Sequence, residues 1–137
     1  MAALTDNIEI NEQEGKLVDH PVVASDIIFK GALVKHNAAG YLAPCVAEVG
    51  GQFAGVAYEK VDNSAGAAGA VECRAIKSGA FELLAAGMAQ ADVGSIVYAT
   101  DDQLVSTTDA GNEQAVGKIT KVLSATKILV RIDGYAY

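Results

Sequence analysis

The chain has 137 residues, enough for one domain that buries a core without metals or disulfides. Half of it is apolar by count (51%), with 14 glycines, no tryptophan and 6% aromatics, which points to a shallow core of Val, Ile and Leu on sheet faces. A net charge of −7 speaks against nucleic acid, because an acidic surface repels phosphate and releases no counterions, and no stretch is apolar for long enough to span a bilayer.

In chain order, residues 1–24 read as an extended N-terminal arm, and residues 25–137 as a β-domain. Ile8 and Ile10 alternate with polar neighbours, and Pro21 favours a second extended piece that contains Leu17 and Val18. Residues 27–29 and 32–35 follow as short strands; 36–40 is a turn, and 41–43 returns as a hairpin partner until Pro44 stops it. Residues 52–58 form a strand around a glycine bulge at Gly55. The small, glycine-rich run 62–69 reads as an exposed hairpin loop. Residues 71–76 alternate with period two, which places Val71, Cys73 and Ala75 inward and Glu72, Arg74 and Ile76 on the other face. Helix and strand compete over 80–86, and 88–93 admits a helical turn, so at most one or two short helices are expected. Strands then recur at 96–98, 104–105, 115–123 and 127–132. Many short strands between polar turns describe a mainly β fold, either a β-sandwich or a small β-barrel.

The pattern occurs twice. Gly31 maps onto Gly94, Val34 onto Val97, Leu42 onto Leu104, Gln52 onto Gln114 and Gly55 onto Gly117, at an offset of about 62 positions with one residue of slip in a turn. The copies cover about residues 31–77 and 94–132. A duplicated strand-turn-strand unit supplies a scaffold and a surface, not a catalytic constellation.

Individual motifs read the same way. Residues 111–119 approach a phosphate-binding loop, but the gap between Gly111 and Gly117 is one residue too long. Ile119 also stands where a Ser or Thr is needed, and a β-patterned segment follows in place of a helix. His20 and His36 each sit beside turn chemistry with no nucleophile nearby and read as surface residues. Asp62, Asp101, Asp102 and Asp109 lack the ligand spacing of a calcium loop and read as turn carboxylates. Cys45 and Cys73 form no metal-ligand spacing and read as buried apolar residues. Asp133 beside Tyr135 invites comparison with trimeric nucleotide hydrolases, without a second motif to support it. No catalytic residue, cofactor or metal site is expected. Tyr135 and Tyr137, amphipathic rings near a terminus, suit an interface, as do Ile8, Ile10, Leu17 and Val18 in the arm.

Taken together, residues 31–34, Gly40 with Tyr41, 61–69, 91–98, 101–103 and 128–132 resemble a family of tailed-phage and prophage capsid cement, or head decoration, proteins. The resemblance covers roughly residues 25–133. It implies a non-enzymatic structural protein made in the host cytoplasm that binds the outer surface of the phage head. There it would hold neighbouring major capsid protein subunits together as a homo-oligomer, a trimer in preference to a dimer. Some relatives carry a recombinase-like ATPase label, which the broken phosphate loop contradicts for this chain. The alternative reading is a virion surface-display module, or one that binds the host or its carbohydrate, using the loop 62–69, and a nucleotide hydrolase is the third.

Overall fold

The computed structural model describes residues 3, 5–7, 9, 15–47, 51–109 and 114–133. It is mainly β, with strands β1 (Leu17–Pro21), β2 (Asp26–Ile28), β3 (Leu33–His36), β4 (Leu42–Pro44), β5 (Gln52–Ala57) and β6 (Val61–Asn63) in the first half. The chain continues with β7 (Glu72–Ile76), β8 (Gly79–Leu84), β9 (Ile96–Ala99), β10 (Val105–Ser106), β11 (Gln114–Ser124) and β12 (Lys127–Ile132). Among the described residues the one helical element is a 3-10 turn at Gln90–Asp92. Where Ala and Leu set helix against strand over 80–86, pairing decides: every residue of Gly79–Leu84 lies opposite one of Lys127–Ile132. Local propensity is a weak preference that a full ladder overrides.

Two five-stranded sheets share one strand order. The first runs β1-β7-β5-β3-β4 and the second, taken from its other edge, β8-β12-β11-β9-β10. Matched hydrogen bonds place the copies in register. Gly31 N–H donates to the Ala57 carbonyl at 2.9 Å and Gly94 N–H to that of Ile119 at 2.8 Å; Ala57 N–H returns to Ala32 at 2.8 Å and Ile119 N–H to Ser95 at 3.0 Å. The hairpin bonds from Asn37 to Tyr41 and from Thr100 to Leu104 are also counterparts. His36 faces Leu42 and Gln52 just as Ala99 faces Val105 and Gln114, so the ladder matches Leu42 with Val105, not with Leu104 as the sequence pattern suggests, and the one-residue slip falls between the hairpin and β5 or β11. Each sheet curls until its outer strands meet in a single parallel bridge, Val22 with Leu42 and Leu84 with Leu104. A two-stranded ribbon of β2 and β6 belongs to the first half alone.

The same bulge shapes both copies. Between β3 and β5 the register jumps so that Val34 faces Gly55 and Lys35 faces Phe53, while between β9 and β11 Tyr98 faces Ala115 and Val97 faces Gly117. The extra residue turns Phe53 and Val56, three apart, onto one face of β5, where both belong to one apolar cluster. Val116 and Ile119 are brought together likewise. Glycine is required at each bulge because the neighbouring strand passes so close: a Cβ on Gly55 would meet the Ile76 carbonyl oxygen, and one on Gly117 that of Arg131, at 2.3 and 2.1 Å.

Two cores result. Val22, Ile28, Val34, Leu42, Ala54, Ala57, Cys73 and Ala75 fill the inner side of the first sheet. Leu33, Cys45 and Val56, on that sheet's outer side, join Val97, Val116, Ile119, Ile128 and Val130 of the second sheet in the larger cluster. Successive residues Leu33 and Val34 therefore face different cores, and this strand is buried on both sides. The loop 62–69 is more tightly held than its composition suggests. Asn63 is buried and donates from Nδ2 to the carbonyls of Val23 at 2.9 Å and Ala67 at 3.0 Å, which ties the start of the loop to the segment between β1 and β2. The turn residues beyond it remain largely exposed.

Candidate functional site

The most distinctive surface is the outer side of β8, β12 and β11. Ile128, Val130 and Ile132 are buried, so Lys127, Leu129 and Arg131 point outward. Directly opposed residues share a face, which places Ala80, Glu82 and Leu84 of β8 and Lys118 and Lys121 of β11 on the same side. Ile96 of β9 continues the row opposite Lys118. Every Lys or Arg after Lys77 lies on this face: Lys118, Lys121, Lys127 and Arg131. The three strands carry a single acid, Glu82, 3.8 Å from the Lys127 ammonium and in an exposed pair of little energetic weight. Lys118 and Arg131 are directly opposed like charges, an arrangement that costs stability unless an anion joins it.

Comparison with the first sheet shows what such a face does elsewhere in the molecule. Leu33 pairs with Val56 just as Ile96 pairs with Lys118, and Phe53 corresponds to Ala115. Leu33, Phe53 and Val56 lie against the second sheet's apolar cluster. Their counterparts Ile96, Ala115 and Lys118 are half-buried or exposed. Around β3 and β5 the outer side is thus covered where its counterpart around β9 and β11 is open, while farther along the first sheet Asp19, Glu72 and Arg74 are exposed and charged.

The residues expected at an interface from sequence are differently placed. Leu17, 40% exposed, and the half-buried Val18 lie in β1, an edge strand paired with β7 along its whole length. Ile8, Ile10, Tyr135 and Tyr137 lie outside the described residues. The four cations of the outer face escaped sequence reasoning, which counted charge but did not place it. Their positions at alternate sites of β12 and on the partner strand are the signal that would have found them.

His20 and His36 correct the expectation of two separate surface histidines. Their ring centroids lie 4.5 Å apart at 73°, an edge-to-face contact, with His20 only 9% exposed. His20 lies opposite Cys73 and His36 opposite Leu42, both core residues, so both rings project to the inner side. His20 Nε2 and His36 Nδ1 are buried without a hydrogen-bond partner. Burial, then His36 and Lys77, lowers the pKa of His20 to about 4; burial also lowers that of His36, against a hydrogen bond to the Gly40 backbone. Edge-to-face rings do not converge their lone pairs on one point, and among the described residues no group of three His, Cys, Asp or Glu side chains could hold a metal.

Other sequence candidates have structural duties. Asp101 Oδ1 accepts from the amides of Gln103 at 2.8 Å and Leu104 at 2.7 Å, and Asp62 Oδ1 from that of Ser64 at 2.9 Å, both as turn supports. Gly117, Lys118 and Ile119 of the phosphate-loop lookalike lie within β11, with no helix N-terminus to receive an anion. Both cysteines are buried free thiols, and burial pushes the pKa of Cys45 up to about 12 and that of Cys73 to about 11. Arg74 pairs with Glu59 at 2.6 Å beneath the Tyr58 ring, 4.8 Å from its centroid, and holds the Glu59 carboxyl below the usual range. Among the described residues no helix is long and apolar enough to cross a membrane.

The fold and surface define a mainly β protein with a basic sheet face. Comparison with family models, curated proteins and solved structures returns no match.

Proposed function

We propose that this chain is a non-enzymatic virion protein that binds the outer surface of a phage head and stabilises contacts between major capsid protein subunits. The observation that carries the reading is the open, basic outer face of β8, β12 and β11, where Lys118 stands at the position at which Val56 of the first sheet packs against its neighbour. Its cations, interleaved with Leu84, Leu129 and Ile96, suit an acidic and partly apolar protein surface better than a small molecule. Homo-oligomerisation, a trimer in preference to a dimer, would let weak contacts act together through effective concentration.

The deciding experiment measures thermal and osmotic rupture of particles with and without this chain. The expected result is earlier rupture without it, restored by adding back the wild-type protein but less well by the K118E/R131E variant. Identical rupture in all cases removes the stabilising role.

A further inference from the structure

The seam that closes the first sheet holds a feature its twin lacks. Val22 bridges to Leu42, and Val23 N–H donates to the Leu42 carbonyl at 2.9 Å. Both histidines adjoin this seam: His20 lies two residues before Val22, and His36 lies opposite Leu42. In the second half Ile128 faces Leu83 as Cys73 faces His20, and Ala99 faces Val105 as His36 faces Leu42. Leu83 and Ala99 therefore occupy the histidine positions, and both are buried and apolar. Two imidazoles replace a leucine and an alanine at one of two otherwise matching closures.

We propose that the His20–His36 contact is a proton-operated latch, shut while both rings are neutral and parting β1 from β4 when they take up protons. Two adjacent imidazolium ions on the partly buried inner side of the sheet would repel each other and be poorly solvated. The surroundings favour the neutral pair. The groups involved are Cys73 of β7, opposite His20, and Lys77, the residue after β7, whose charge opposes protonation of both rings. Asp19, on β1 itself, favours protonation of His20, but burial, His36 and Lys77 outweigh it.

The sign follows from where protons bind more readily. An opened seam returns the rings to water, where the ordinary imidazole value is 6.5, while His20 in the closed form titrates near 4. The latch is fully effective above pH 6.5 and is lost as pH falls from there towards 4, by up to about tenfold in the closed-to-open ratio per pH unit for His20, and His36, also lowered, adds in the same direction. This inference is independent of the capsid reading, since it concerns the isolated chain.

Hydrogen exchange tests it. Protection of the Val23 amide, corrected for intrinsic rate, should fall by at least about tenfold between pH 7 and pH 5. Protection of the Ala85 amide, next to the second seam, should hold. The H20L/H36A variant, which installs the second half's residues, should leave Val23 protection flat with pH. Parallel loss at Val23 and Ala85, or unchanged loss in the variant, overturns the latch. Should that variant fail to fold, NMR titration of the wild-type imidazoles decides: a depressed midpoint for His20 supports the latch, and ordinary midpoints for both rings refute it.

Discussion

The two sheets agree in strand order, closing bridge and bulge glycine, and differ in what they place at matching positions. The inner side of the first holds Cys73, Ala54, Ala57 and Ala75, where the second holds Ile128, Val116, Ile119 and Val130. Small residues leave room for the β2–β6 ribbon and for two histidines, while branched residues fill the second sheet by themselves. On the outer side Leu33, Phe53 and Val56 of the first sheet pack against the second, whereas their counterparts Ile96, Ala115 and Lys118 are open, and Glu72 and Arg74 are exposed as Lys127 and Arg131 are. One backbone plan thus supports two divisions of labour, because ladder hydrogen bonds and a glycine bulge set the backbone while side-chain volume and charge are free to vary.

The comparison can be broken most sharply at the core. Ile128→Ala should cost about 2–5 kcal/mol in chemical denaturation, whereas Cys73→Ala at the matching position should cost about 1 kcal/mol or less. Equal losses would mean that the two cores carry equal weight. The bulges come next. Gly117→Ala and Gly55→Ala should each cost about 2–3 kcal/mol, since the new methyl meets a backbone oxygen that cannot swing away, and Gly55 adds a φ of +141°. A neutral result at either position would show that the shared bulge is not a shared requirement. The smallest effect lies on the open face. Lys118→Glu should raise stability by about 0.2–1 kcal/mol at low salt, by turning a like-charge pair with Arg131 into an opposite one, and the gain should vanish at high salt. A salt-independent loss would mean that Lys118 acts through packing instead of charge.

Much of this plan was legible in the residues. The recurring Gly31 and Gly94, Gln52 and Gln114, and Gly55 and Gly117 mark turn, strand start and bulge, features with narrow backbone demands that leave a trace in sequence. The alternation from Glu72 to Ile76 gave its facing correctly, with Cys73 and Ala75 buried and Glu72 and Arg74 exposed. The histidine pair was not legible, because His20 and His36 lie on strands that meet only once the sheet curls through β7 and β5. The basic face was hidden for a related reason: its members are spread over β11 and β12, and only the ladder register shows Lys118 opposite Arg131. In the loop 62–69 local composition suggested looseness, and one buried amide, Asn63, supplied the restraint that composition does not report.

The halves do not meet back to back. Leu33 and Val56 press on the second sheet with a surface whose twin, Ile96 and Lys118, points away from the join. Such an arrangement has a direction, like a stair with a lower and an upper tread, and it does not close on itself. A third unit fused after β12 would find its landing already laid out, once Lys118 and Arg131 were made apolar, and would lengthen the molecule along the same axis.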